Sequence, residues 1–120
     1  MRAIVVERWT DPKDLAVSEI PEPEAGPGQV RVEVAAAGCN FFDILMVRGE
    51  YQVKPAFPFT PGAELAGVVA GVGDGVAEFR VGDRVYGGLG FGAFAEQAVL
   101  PQAALRPIPD GMGFDEAAAF

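Results

Sequence analysis

Histidine is absent from this sequence of 120 residues, and cysteine occurs once, as Cys39. Without histidine, neither a Ser–His–Asp triad nor a Cys–His pair can be built, and zinc lacks its commonest catalytic ligand. A single cysteine cannot form an internal disulfide, which fits the reducing cytoplasm. These two scarcities argue against hydrolytic triads and against a zinc site.

Long apolar runs and excess positive charge are also missing. No run of about 18 apolar residues occurs, so no transmembrane helix is predicted. The N-terminal stretch MRAIVVERWTD is too short and too charged for a signal peptide. The net charge of −8 would repel phosphate backbones and anionic lipids. We therefore expect neither nucleic acid nor a membrane as a partner.

The sequence is instead rich in turn-forming residues, with 16 glycines and 10 prolines. Frequent turn-forming residues favour many short strands over long helices. The segment QVRVEVAAA (29–37) alternates, with Val30, Val32 and Val34 on one face, which predicts a half-buried strand. Further strands are predicted at 2–8, 64–73 and 92–101, and residues 80–87 are predicted to be a turn that leads into a strand. Five to seven such strands predict a mainly β fold, a small antiparallel barrel or sandwich.

Two helices are predicted beside these strands. Residues 40–49 have an acceptable N-cap in Asn40 and a C-terminal stop in Gly49. We expect Phe41, Ile44 and Leu45 to form the apolar face of this helix. A second helix is predicted to begin in FDEAAAF (114–120). The proline-rich segment 54–62 is expected to be an ordered loop, and 105–111 an extended segment.

Closely spaced glycines at 71, 73 and 75 could suggest a nucleotide site. The dinucleotide fingerprint, however, is G-x-G-x-x-G between a strand and a helix, whereas here polar turn residues and another strand follow. We therefore favour a hairpin turn. Residues 86–94 are interpreted as a second turn, whose glycines could also let a ligand approach the backbone.

Five segments in order carry a family resemblance: AAAGCNFFD, FPFTPGAELAGVVAGVGDGV, FRVGDRVYG, GAFAEQAV and PIPDGMGFDEAAAF. Together they resemble the medium-chain dehydrogenase/reductase superfamily, and most of all its zinc-free NADPH:quinone oxidoreductases related to ζ-crystallin. The resemblance runs from Arg2 to Phe120. It implies that residues 1–113 form a GroES-like, partly open β-barrel, the catalytic domain. Residues 114–120 would begin the helix that links it to a Rossmann domain absent from this sequence.

The resemblance also bears on metal binding. Zinc-dependent relatives have a cysteine ligand in G-x-C-x-x-D, and the register set by Asp43 places that position at Asn40, one residue after Cys39. Strand alternation then predicts that Cys39 points away from the ligand site. Where those relatives have G-H-E, histidine is replaced by Ala63. We expect no metal, and we expect Cys39 to be a packed core residue, with a reactive thiol as the alternative.

Candidate site residues follow from the same resemblance. Asn40 is assigned a catalytic and cofactor-binding role, donating a hydrogen bond to a carbonyl or to the nicotinamide carboxamide; it could also simply cap the helix. Tyr51 matches a tyrosine that relatives place beside substrate, although it could be merely packed. Phe41 could press on the nicotinamide, but a core aromatic is favoured. Asp43 and Glu64 are expected in the substrate cleft. Asp43 is interpreted as an orienting or structural acid, and Glu64 is expected to pin neighbouring backbone or an arginine rather than to donate a proton.

Without zinc, oxidation of an alcohol lacks a group to take the hydroxyl proton. The resemblance implies reduction of quinones or other conjugated carbonyls by hydride from NADPH, in a full-length homodimer whose Rossmann domain binds most of the cofactor. Three alternatives stay open: an enoyl reductase acting on enoyl thioesters, a free-standing GroES-like binding module without activity, and a split or truncated gene product that folds but does nothing alone. The 120 residues alone are expected to be inactive.

Overall fold

The computed structural model describes residues 1–120. It contains seven strands and two helices, and short 3₁₀ turns at Pro12–Asp14 and Gln102–Ala104. In chain order the elements are β1 (Arg2–Ile4), β2 (Val17–Glu19), β3 (Gln29–Gly38), α1 (Phe41–Arg48), β4 (Glu64–Val72), β5 (Arg84–Gly87), β6 (Gln97–Pro101), β7 (Leu105–Pro107) and α2 (Phe114–Ala118). The mainly β fold class and the number of strands are confirmed. Both helices are too short to cross a bilayer.

The strands form two antiparallel sheets that continue into each other. β1 pairs with β2, and the other five lie in the order β6-β3-β4-β5-β7. The backbone joins the two sheets, because Ile4 N–H donates to Phe94 O at 2.9 Å and Glu96 N–H donates to Arg2 O at 3.0 Å. The outer strands β2 and β7 do not pair with each other. The fold is therefore a partly open barrel, as expected.

The main core lies on the inner face of the five-stranded sheet. Val30 and Val32 on β3 are fully buried, as their alternation predicted. β4 is buried on both faces, because Leu65 joins the main core while Ala66 packs beneath α2. This double burial explains the nearly continuous apolar sequence of β4. The main core comprises Val30, Val32, Leu65, Val69, Phe79, Val85, Ala93, Ala98, Leu100 and Leu105.

The β3–β4 ladder contains two irregularities that compensate each other. Arg31 pairs with Gly71 but Val32 pairs with Val69, so β4 carries one extra residue. Further along, Val34 pairs with Gly67 but Ala36 pairs with Ala66, so β3 carries one extra residue, Ala35. Each extra residue is a β-bulge, which reverses the facing of the side chains beyond it on its own strand. The pairing register where Gly38 meets Glu64 is therefore the same as the register where Val30 meets Val72.

Helix α1 has the predicted ends but not the predicted apolar face. Gly49 ends the helix in the left-handed conformation, with φ of 71°, which glycine adopts without a steric penalty. The buried residues are Asp43, Met46 and Val47, whereas Phe41 is 72% exposed. Residues 43, 46 and 47 have the same i, i+3, i+4 spacing as the predicted set. Val47 packs with Val6 and Phe59 from other segments, and this contact selects the face.

Several other segments differ from the predictions. The strands predicted at 2–8 and 92–101 are shorter, ending at Ile4 and beginning at Gln97. Single backbone bridges, Val6 to Phe59 and Ala3 to Ala95, replace the missing parts. β2 was not predicted, and part of the extended segment 105–111 forms β7. The turn after β4 is confirmed, because a turn at residues 74–75 follows the strand and no helix begins there.

Candidate functional site

The candidate site lies where β3 ends, α1 begins and β4 begins. Gly38 and Glu64 are the last pair of the β3–β4 ladder. Immediately after Gly38 the chain leaves the sheet through Cys39 and Asn40 and enters α1, whose first turn carries Asp43. Three predicted site residues, Asn40, Asp43 and Glu64, therefore come together although they belong to different elements.

Asn40 is hydrogen-bonded to both acids. Its backbone N–H donates to Asp43 Oδ2 at 2.8 Å, which fixes the first turn of α1. Its side-chain Nδ2 donates to Glu64 Oε1 at 3.1 Å. Asn40 occupies the N-cap position, but its side chain makes no capping hydrogen bond. The carboxamide is thus directed toward β4, and the helix start is stabilised by Asp43 instead.

Asp43 is the one buried charged or polar residue of the fold, with 6% of its surface exposed. Burial raises its pKa above the ordinary 3.8, and the nearby negative charge of Glu64 raises it further. The backbone groups of Asn40, Gly62 and Ala63 lower the pKa and offset only part of this rise. The second oxygen, Oδ1, is buried and accepts no hydrogen bond of normal geometry. The carboxyl is therefore held in an environment that favours its neutral form.

A cavity of about 430 Å³ opens beside this cluster. Its size falls in the range of small-molecule sites, and its walls combine apolar side chains with a few polar groups. Asn40, Asp43 and Phe41 contribute from the α1 side. The lining residues are Pro12, Leu15, Cys39, Asn40, Phe41, Asp43, Ile44, Val47, Pro61 and Phe94. Pro12, Leu15 and Phe94 come from distant segments, so no local motif could have identified them.

The interpretation of Cys39 as a packed core residue is wrong. Cys39 is exposed and lines the cavity together with Asn40, so it does not point away from the site. The prediction extended the strand alternation through residue 39. β3 ends at Gly38, and the alternation of facing ends with it.

The two predicted aromatic site residues differ in their placement. Phe41 is exposed at the cavity, so its interpretation as a core aromatic is wrong, while its contact with a nicotinamide stays a prediction. Tyr51 does not line the cavity. It packs edge-to-face against Phe42, with ring centroids 4.5 Å apart. Its role beside substrate also stays a prediction.

The comparisons with known proteins agree with this architecture. Residues 26–110 match the alcohol dehydrogenase GroES-like domain. The quinone oxidoreductase-like protein 2 of Rattus norvegicus is 42% identical over 117 residues, which cover 98% of this chain and 33% of that protein. The human synaptic vesicle membrane protein VAT-1 homolog-like protein superimposes with a TM-score of 0.95 at 36% identity, covering 100% of this chain and 39% of that chain.

A quinone oxidoreductase from Thermus thermophilus, solved alone and with NADPH, superimposes with a TM-score of 0.83 at 39% identity, covering 100% of this chain and 36% of that chain. The chain belongs to the alcohol dehydrogenase GroES-like domain family. Its relatives are consistent with the N-terminal domain of a zinc-free quinone oxidoreductase of the medium-chain dehydrogenase/reductase superfamily. It spans about a third of the length of the rat relative. No group of three or more His, Cys, Asp or Glu side chains is placed to hold a metal ion.

Proposed function

We propose that this chain is the N-terminal catalytic part of an NADPH-dependent reductase of quinones or other conjugated carbonyls. The observation that carries the proposal is the Asn40 carboxamide, fixed by Glu64 at the edge of a largely apolar cavity of about 430 Å³. Such a cavity suits a flat ring, and the amide suits its carbonyl oxygen. The names of the rat and Thermus relatives, and the NADPH complex of the latter, support this choice.

The residues present fit part of a dinucleotide and not the whole. The cavity and Asn40 could accommodate the nicotinamide end. Gly71 lies at the end of β4, and Gly73 and Gly75 belong to the turn that follows it with no helix after it, which is no phosphate site. In our proposal a Rossmann domain outside this chain binds the phosphates, residues 1–113 are the catalytic domain and residues 114–120 begin the linking helix. The intact protein would be a cytoplasmic homodimer that uses no zinc.

Bound NADPH supplies the hydride that reduces the conjugated system. Asn40 contributes the polar contact, because Nδ2 has two hydrogens and Glu64 accepts only one of them. The second is free to donate to the substrate oxygen, on which negative charge develops as the hydride adds. The apolar walls hold the ring and limit water around it. The oxygen then takes its proton from water.

The proposal is tested on the intact gene product purified from its source cells. Its mass should be roughly 35 kDa, the size of two domains of typical length. It should oxidise NADPH with a quinone as acceptor, and an enoyl thioester tested in parallel distinguishes the enoyl reductase alternative. A mass near 12.6 kDa would contradict the proposal and favour a free-standing binding module. The 120 residues alone should show no turnover.

The role of Asn40 has its own test. Asn40→Ala should lower kcat/KM by roughly 100-fold, the typical loss for one donor to a developing oxyanion. The thermal midpoint should change little, because the Asn40 side chain does not cap the helix and its hydrogen bond to Glu64 lies at an exposed position. Gln102→Ala removes an amide remote from the cavity and serves as the matched control. Unaltered kinetics in Asn40→Ala would reject the polar role.

A further inference from the structure

We propose that Gly38 and Glu64 are positioning residues, which together fix the orientation of the Asn40 carboxamide. Neither needs to touch substrate. The inference rests on the proposed function only in giving Asn40 a donor role. The structural claim, that these two residues determine where the carboxamide points, stands on geometry alone.

The first step is the pairing of Gly38 with Glu64. The bulge at Ala35 shifts the register of β3 by one residue. Without it, the register of Val34 and Gly67 would continue, and Ala37 would lie opposite Glu64. The bulge therefore brings a glycine to this position in place of an alanine.

The second step is the space that this glycine leaves. A Cβ on Gly38 would overlap the Glu64 side chain at Oε1, Cδ and Cγ. Glu64 thus lies across the backbone of Gly38, in space that any other residue would fill. The φ of Gly38 lies outside the left-handed region, so its backbone does not require glycine. Glycine is therefore needed at position 38 because it leaves room for the Glu64 side chain, and not because the backbone adopts a conformation that other residues avoid.

The third step is the hydrogen bond from Asn40. A carboxylate only accepts hydrogen bonds, so the amide nitrogen of Asn40, and not its carbonyl oxygen, must face Glu64. The Nδ2···Oε1 distance of 3.1 Å satisfies this requirement. Glu64 thereby selects one of the two flip states of the carboxamide. Displacing Glu64 would leave Asn40, which is exposed, free to rotate.

The test uses NMR on this chain, with the Asn40 side-chain NH₂ signals assigned by their loss in Asn40→Ala. In the unaltered protein one Nδ2 hydrogen should exchange with solvent roughly fivefold to tenfold more slowly than in Glu64→Ala, as expected for a hydrogen bond to a charged group at an exposed position. Gly38→Ala should abolish this protection, because Glu64 is a flexible side chain and can move aside. Glu64→Gln keeps an acceptor oxygen and should restore part of it.

Two controls separate positioning from a general effect on the fold. Gly71→Ala lies on β4, and its Cβ would meet Arg31 only at an ordinary distance of 3.4 Å, so it should not change the Asn40 signals. Gly38→Ala introduced into Glu64→Ala should cause no further change, because its effect acts through Glu64. Full protection in Glu64→Ala or Gly38→Ala would overturn the inference, whatever the kinetics of Asn40→Ala show. Slower exchange of the Asn40 Nδ2 hydrogen in Glu64→Gln than in Glu64→Ala would support the inference. A residue needed only for the fold would not restore this protection through an acceptor oxygen.

Discussion

The barrel core and the junction at α1 lie at different places along the same two strands, β3 and β4, and they follow opposite rules. In the core, Val30, Val32 and Val69 face one another, and their cluster contains only apolar side chains. At the junction, Asp43 is buried beside the second acid Glu64, and its Oδ1 accepts no hydrogen bond of normal geometry. A cavity of about 430 Å³ adjoins this junction.

The difference indicates which region is optimised for stability. In a consistent fold, buried groups are apolar or fully hydrogen-bonded, and departures from this rule tend to occur at functional sites. The main core cluster satisfies the rule, although two polar atoms elsewhere on the same sheet, Arg31 Nε and Gln97 Oε1, are also buried without a hydrogen-bond partner. The junction departs from it by placing a poorly solvated carboxyl next to another acid. Four predictions test whether the stability of the fold depends on the core, and whether pH response and thiol reactivity depend on the junction.

The largest effect is expected in the core. Leu65→Ala removes a side chain that is 2% exposed and should lower the free energy of unfolding by about 2–5 kcal/mol. Leu89→Ala is the matched control, since Leu89 is 56% exposed in a loop, and it should change stability by less than about 0.5 kcal/mol. Urea unfolding followed by circular dichroism measures both. Equal losses in the two variants would mean that the core described here is not the stabilising one.

Two glycines on the ladder should respond differently to the same substitution. A Cβ on Gly67 would overlap the backbone carbonyl of Glu33 beside the bulge, whereas a Cβ on Gly38 would overlap only the side chain of Glu64. Gly67→Ala should therefore cost about 1–3 kcal/mol of unfolding free energy, as for overpacked cores. Gly38→Ala should cost clearly less. If Gly38→Ala were the more damaging, the junction would be as rigid as the core, contrary to the comparison.

The next effect depends on pH. The folded-state pKa of Asp43 is raised above 3.8, so protonated Asp43 stabilises the fold relative to the ionised form. This contribution is fully present below about pH 3.8 and is lost as the pH rises through the raised pKa. Asp43→Asn keeps a neutral group throughout. The unfolding free energy of the unaltered protein minus that of Asp43→Asn should fall as pH rises and then level off.

Urea titrations of both proteins from pH 3 to pH 8 measure this difference. The acids that do not interact with Asp43 cancel because they are common to both proteins, and Glu64→Gln introduced into both removes the contribution of the one acid that does. A difference that increases with pH would mean that the hydrogen bond from Asn40 N–H to Asp43 outweighs burial, so that the pKa is lowered instead. A flat difference would mean that Asp43 is well solvated.

The smallest effect on stability is expected at Cys39. The thiol is exposed in the folded protein, so one equivalent should react with a thiol reagent without denaturant. Cys39→Ser should change the unfolding free energy by less than about 0.5 kcal/mol, as for surface substitutions. Protection of the thiol until the protein unfolds would restore the core interpretation that the structure contradicts.

The sequence predicted those parts of the fold that local patterns determine. The alternation of Val30 and Val32 and the helix ends at Asn40 and Gly49 needed only local information. It did not predict the buried face of α1, because two sets of residues have equivalent spacing and contacts with Val6 and Phe59 decide between them. The exposure of Cys39 was missed for a similar reason, since the end of a strand depends on its partner.

The candidate site was predictable only in part. Asn40, Asp43 and Glu64 could be selected through a family resemblance, and the structure brings them together. The cavity walls contributed by Pro12, Leu15 and Phe94 depend on tertiary contacts between distant segments. The role of Gly38 depends on a bulge that no single-strand pattern reveals.

The two compensating bulges have a consequence for how this sequence can tolerate change in length. Deleting Ala35 alone would remove the bulge on β3 and keep Ala36 opposite Ala66 and Gly38 opposite Glu64, and deleting Ala70 alone would likewise make β4 regular. Deleting both would leave two regular strands that remain in phase over their whole length. Each bulge is therefore a single inserted residue that the sheet absorbs locally, so a gene could lose either codon, in either order, and retain the pairing on both sides of it.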